Sequence, residues 1–91
     1  MQQEIRVKVC YAGFLSEITG KHCEDLILPE GSTLEDLLVV LLKQSFRLKE
    51  WIDRIPLIQI RVNEKEVLNT RKHVLRDKDE ITLSPPLYEG G

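Results

Sequence analysis

Apolar residues recur at every second position near the start of the chain, with Ile5, Val7, Val9 and Tyr11 separated by Arg6, Lys8 and Cys10. That period of two predicts a strand with one buried face and one face turned to water. The stretch from Ala12 to Lys21 is too short for a full helix and is closed by Gly20. It predicts a compact connection with one helical turn, held to the core by Phe14, Leu15 and Ile18. A second strand over Glu24 to Leu28 runs into Pro29 and Gly31, which end it. The two strands make a natural antiparallel hairpin.

The pattern then changes period. Leu34, Leu37, Leu38, Leu41 and Leu42 fall at i, i+3, i+4, i+7 and i+8, and Ser32 with Glu35 fits a capping box at the helix start. Burial of each leucine is worth on the order of 1.5 to 3 kcal/mol, so this helix is expected to be the main glue of the fold. From Lys43 to Pro56, Phe46, Leu48, Trp51, Ile52 and Ile55 are scattered among charges without a clean period. A connector with room for a second short helix is expected there. Alternation returns at Leu57 to Val62, followed by a turn at Asn63, Glu64 and Lys65, a brief edge strand through Glu66, Val67 and Leu68, a turn over 77–80 and a last strand from Ile81 to Ser84.

Hairpin, helix, then further strands is an α+β order in which the helix crosses one sheet face and the first and last strands lie side by side at the centre. It is a ubiquitin-like β-grasp pattern: a mixed sheet of four to five strands with one main helix packed on one face. The expected division is a β-grasp domain over 1–84 and an extended C-terminal tail over 85–91.

Composition narrows the function. With 91 residues, 42% of them hydrophobic and 31% charged, there is material for one core. The balance of 13 Lys and Arg against 15 Asp and Glu, a formal charge of −2, lacks the footprint of a nucleic-acid or anionic-membrane binder. The longest apolar run, Leu37 to Leu42, is six residues, against roughly 20 for a membrane-spanning helix. The N-terminus has neither a secretory nor a transit pattern, so a cytoplasmic location is expected. Cys10 and Cys23 match no metal spacing and are expected as free thiols rather than a bridge. His22 and His73 lie far apart and read as surface residues. Cys10 shares its strand face with Arg6 and Lys8 but has no neighbouring base in sequence, which makes it a weak candidate nucleophile. No metal site and no bound cofactor are expected.

The end of the chain carries the clearest chemical signal. Pro85 and Pro86 favour an extended lead, and Gly90 and Gly91 follow Leu87, Tyr88 and Glu89. Two residues without Cβ let the backbone lie in a narrow channel while another protein's catalytic groups approach the terminal carboxylate. A carboxylate is a poor acyl donor until adenylated, after which a sulfur or nitrogen nucleophile can displace AMP. The predicted role is therefore a carrier whose own terminal atoms react, not an enzyme.

The chain resembles the sulfur-carrier branch of the ubiquitin-like proteins, and most closely the MoaD family of molybdopterin synthase small subunits with its relative ThiS. The resemblance lies in the segment from Tyr11 to Gly20, in Gly31-Ser32-Thr33-Leu34, in Val62-Asn63-Glu64-Lys65, in the turn Leu75-Arg76-Asp77-Lys78-Asp79-Glu80-Ile81, and in Pro85-Pro86 with the closing Gly90-Gly91. Lys78 stands where the family usually has a turn glycine, Ser16 where it often has arginine, and the tail is one residue longer than the common pattern.

The resemblance implies that Gly91, with Gly90, is adenylated by a ubiquitin-activating-type enzyme of the MoeB/ThiF kind, which uses ATP. It implies conversion to a thiocarboxylate and insertion into a large, MoaE-like synthase subunit to donate sulfur in molybdopterin biosynthesis. Pro85, Pro86, Leu87 and Tyr88, with a hydrophobic outer sheet face, would dock both partners. The alternatives are a ubiquitin-like modifier joined to lysines through Gly91, a sulfur carrier of the thiamine or tRNA type, and a passive β-grasp interaction module.

Overall fold

The alternation at the start of the chain resolves into an interior strand of a five-stranded sheet. The computed structural model describes residues 3–54 and 58–85. In chain order the elements are β1 (Glu4–Tyr11), α1 (Leu15–Thr19), β2 (Cys23–Pro29), α2 (Leu34–Gln44), α3 (Phe46–Arg54), β3 (Gln59–Val62), β4 (Lys65–Glu66) and β5 (Glu80–Ser84). The sheet order is β2-β1-β5-β3-β4, with β1 and β5 parallel and the other pairs antiparallel. The first and last strands are therefore neighbours at the centre, as the element order predicts.

The register is decided by burial. Ile5, Val7, Val9 and Tyr11 of β1 face inward, beside Leu28 of β2, Val62 of β3, and Ile81 and Leu83 of β5. A slip by one residue would exchange these for Glu4, Arg6, Lys8 and Cys10, so the hydrophobic set tolerates only one pairing. Against this face α2 lays Leu34, Leu37 and Leu41, and Leu15, Leu48 and Leu75 close the core from α1, α3 and the loop before β5. Leu38 and Leu42 are only partly buried. The helix turns its i, i+3, i+7 row squarely to the sheet and leaves the i+4 and i+8 leucines at the margin.

Two local expectations are corrected. The helix cap is Thr33 with Asp36, not Ser32 with Glu35: the Thr33 hydroxyl accepts from the Asp36 N–H at 3.2 Å, and the Asp36 carboxylate accepts from the Thr33 N–H at 2.9 Å. Ser32 is buried and its hydroxyl already engaged, donating to the Pro29 carbonyl at 2.7 Å, while its main-chain carbonyl accepts the Leu75 N–H at 2.9 Å. Cys10 and Cys23, expected as free thiols, are a disulfide. They are direct cross-strand partners in the β1–β2 register. Opposed positions of an antiparallel pair bring side chains close, a proximity invisible in a sequence separation of 13. The stretch of charges and scattered apolar residues after α2 is the helix α3, whose Leu48 is fully buried.

The turn before β5 is tied down by Asp79, which is buried. Its carboxylate accepts from the Asn63 side-chain amide and from the Arg76 N–H, both at 2.8 Å, and Asn63 in turn accepts the Glu80 N–H at 2.9 Å. The asparagine and the acidic turn noted in sequence are thus one latch between the β3–β4 turn and the start of β5. Lys78 in this turn has φ +72°, a left-handed conformation that an L side chain resists, and donates its N–H to the Arg6 carbonyl at 2.7 Å. Lys78→Gly is expected to stabilise the protein by about 0.5 to 1 kcal/mol, the relief of αL strain exceeding the extra chain entropy of glycine. An upward shift of the urea midpoint checks this, and a fall would show that the turn holds no such strain.

Candidate functional site: the root of the C-terminal segment

β5 delivers the chain to one end of the sheet. Because β1 and β5 run parallel, the ends of both lie at the same sheet edge, together with the start of β2 at Cys23 and the start of β3 at Gln59. The last β5 residues are gripped from two sides: the Leu83 carbonyl accepts the Ala12 N–H at 2.9 Å, and Ser84 pairs with Gln59 of β3. Pro85 follows directly and lies against Gly13. Of the residues expected to form the site, Pro85 is thus placed at the root of the tail. Pro86, Leu87, Tyr88, Gly90 and Gly91 lie outside the described residues.

The open face of the sheet differs from the expected hydrophobic docking surface. It presents Arg6, Lys8, Asp25, Gln59, Arg61, Glu80, Thr82 and Ser84 around the Cys10–Cys23 bridge, with Ile27 as its exposed large apolar side chain. The same alternation that commits the odd positions of β1 to the core leaves the polar ones here, so this face offers charge and hydrogen-bonding groups rather than an apolar patch. The exposed aromatic Phe46 lies away from the sheet, at the start of α3. Phe14 lines a shallow cleft of about 420 Å³ with Glu17, Ile18, Arg47 and Glu50.

The remaining candidates acquire structural roles. Cys10, in its disulfide, offers no thiolate for nucleophilic attack. The His22 carbonyl accepts the Tyr11 N–H at 2.8 Å and the His73 carbonyl accepts the Leu34 N–H at 2.9 Å, so both histidines contribute main-chain contacts. Among the described residues no group of three or more His, Cys, Asp or Glu could hold a metal ion, and no helix is long and apolar enough to cross a membrane.

Tyr11, at the same end of β1, donates its phenol to Glu24 at 2.6 Å, and Lys21 pairs with the other carboxylate oxygen at 3.3 Å. Burial first, then the hydrogen bond to Glu24 and the charge of that carboxylate, hold the phenol well above its ordinary range. The folded protein keeps this proton where the unfolded chain, titrating near pH 10, releases it. The contribution to stability is therefore complete below about pH 10 and is lost as pH rises further. Urea midpoints measured between pH 8 and about 11 should fall at the alkaline end in the parent and fall less in Tyr11→Phe. Equal slopes would show that the phenol titrates normally.

No family model and no curated protein matches the sequence. Solved structures do. The chain is 28% identical to a putative molybdopterin converting factor subunit 1 from Pyrococcus furiosus, with a TM-score of 0.78 over 91% of this chain and 99% of that one. It is 27% identical to small archaeal modifier protein 1 from Methanosarcina acetivorans, with a TM-score of 0.75 over 98% and 99% of the two chains. The chain is a ubiquitin-like β-grasp protein. A third such structure, the complex of subunits 1 and 2 of the molybdopterin-converting factor from Helicobacter pylori, matches at 27% identity and a TM-score of 0.64, over 94% of this chain and 100% of that one. The neighbours of this β-grasp chain are MoaD-like subunits and small modifiers, in agreement with a carrier rather than an enzyme.

Gly13 is a site residue that the periodicity of the sequence does not mark. It stands inside the segment that resembles the MoaD pattern, but nothing in the alternation marks a glycine between a strand end and a short helix as the neighbour of Pro85, far along the chain.

Proposed function

We propose that this β-grasp protein is a sulfur carrier acting as the small subunit of a molybdopterin synthase, with residues 1–84 as its body and 85–91 as its reactive arm. The observation that carries the proposal is the likeness, at 28% and 27% identity and over nearly the full length, to two subunits 1 of molybdopterin converting factors, one of them in complex with its subunit 2. The geometry supports it: β5 is held through Leu83 on the β1 side and through Ser84 on the β3 side, so the arm begins at a point anchored in the sheet.

In this proposal the Gly91 carboxylate oxygen attacks the α-phosphorus of ATP on a MoeB/ThiF-like enzyme, pyrophosphate leaves, and the acyl adenylate forms. A sulfur donor at the oxidation level of sulfide then adds to the carbonyl and AMP departs, leaving a C–S bond where C–O was. Gly90 and Gly91 admit both partners to the carbonyl, and Pro85, Pro86, Leu87 and Tyr88 line the arm where the activating enzyme and a MoaE-like subunit hold it in turn. The setting is cytoplasmic.

A second reading, a modifier joined to lysine amines through the same adenylate, is favoured by the likeness to the Methanosarcina modifier over 98% of this chain. Intact mass spectrometry of the protein from its own cells tests the proposal. Exchange of one terminal oxygen for sulfur supports the carrier. A ladder of heavier conjugates that vanishes with Gly91 supports the modifier, and an unaltered terminus with no conjugates sinks both.

A further inference from the structure

We infer that Gly13 is a positioning residue for the C-terminal segment: its bare Cα is the seat on which Pro85 rests, and it sets the direction in which the chain leaves the sheet. The inference rests on the proposed role of Gly91 and adds a determinant of its presentation within the folded body. A Cβ at Gly13 would stand 3.1 Å from Pro85 Cγ, closer than carbon atoms ordinarily approach, and 3.4 Å from Cδ, at the near limit of ordinary contact. To admit that Cβ, Pro85 would have to shift by a few tenths of an ångström, and both partners are tied to their neighbours. Pro85 is anchored through Leu83, whose carbonyl accepts the Ala12 N–H at 2.9 Å, and Ser84, paired with Gln59. Gly13 is held by its own carbonyl, which accepts from the Ser16 N–H at 3.2 Å and the Ser16 hydroxyl at 2.9 Å, and α1 is fixed by the fully buried Leu15.

The backbone of Gly13 also has φ +60°, so the residue serves two separable needs, a left-handed turn and an open seat. Six residues follow Pro85. Extended, they reach up to roughly 20 Å, so a tilt of about 10° at the root moves the tip by about 3 Å. Misplacement on that scale matters to a carbonyl that must meet ATP in another protein's active site.

The test compares Gly13→Ala, Pro85→Ala and the double variant in two assays. One measures kcat/KM for adenylate formation with the cognate activating enzyme, well below the melting midpoint. The other follows the amide resonances of Leu87 and Tyr88. Gly13→Ala is expected to lose at least tenfold in kcat/KM and to shift both resonances. Pro85→Ala should lose only a few fold, and the double variant should return to the Pro85→Ala level while its melting midpoint stays as low as that of Gly13→Ala. Backbone strain alone would lower the midpoint without this recovery. A Gly13→Ala protein that reacts and resonates like the parent, or a double variant no better than it, overturns the inference. Should Gly13→Ala not fold, unshifted Leu87 and Tyr88 resonances in Pro85→Ala overturn it and shifted ones support it. If the parent itself forms no adenylate, the proposed function fails, and the resonances alone decide whether the seat directs the chain.

Discussion

A protein ending at Gly90 is expected to form adenylate on the order of 100-fold more slowly than the parent, and one extended by a residue after Gly91 to do the same. Either change moves the terminal carboxylate by about 3.3 Å relative to the sheet, the length of one extended residue. A bimolecular reaction between a protein terminus and ATP depends on reacting atoms held near contact distance, and displacement of even about 1 Å can lower the rate on the order of 100-fold. Stability should not change, because the hydrophobic core is complete at Leu83, the last buried apolar residue described before Pro85. Pyrophosphate exchange with the activating enzyme and urea unfolding, run on the same samples, separate the two effects. Equal exchange rates for the parent and the extended protein would mean that the reactive atom is elsewhere.

Features governed by neighbours in sequence were the ones legible in it. The alternation of Ile5, Val7, Val9 and Tyr11 marked a strand because a period of two is a local consequence of the pleat, and the buried odd positions follow it. The leucine stripe marked α2 for the same reason. What failed depended on partners distant in the chain. The capping box slipped by one residue because the Ser32 hydroxyl, eligible by type, is donated to the Pro29 carbonyl, while its main-chain carbonyl is fixed by the N–H of Leu75, more than forty positions away. The disulfide escaped notice because only the hairpin register places Cys10 opposite Cys23. The open sheet face was expected to be apolar although Arg6, Lys8 and Arg61 occupy its strands. Their alternation already contained that answer, and the expectation had come from the resemblance instead. The Asp79 latch shows the opposite case. Its turn is legible in the sequence, and the structure adds that Asp79 ties this turn to Asn63 of the β3–β4 turn.

Leu37→Ala is expected to destabilise the protein by about 3 to 4 kcal/mol, and Leu38→Ala by about 1 kcal/mol. Both residues sit on α2 one position apart, and spacing alone assigned them to the same apolar stripe. The sheet distinguishes them: Leu37 is fully enclosed, while Leu38 is only partly buried at the margin of the core. Truncation of Leu37 removes transfer free energy and leaves a cavity between helix and strands, whereas the gap at Leu38 opens partly to water. For a small domain whose total stability is typically about 5 to 15 kcal/mol, the larger loss is a substantial fraction of the whole. Urea midpoints at constant m-value measure both. Equal losses would place the two leucines in the same environment and rotate the helix from the orientation described. Function supplies a second check, since Leu37 lies in the core and not at the root of the tail. At low temperature, with the Leu37→Ala variant still folded, its kcat/KM for adenylate formation should equal that of the parent. Activity should decline only as the unfolded fraction grows, so a loss of activation in the fully folded variant would mean that the core and the exit of β5 are mechanically coupled.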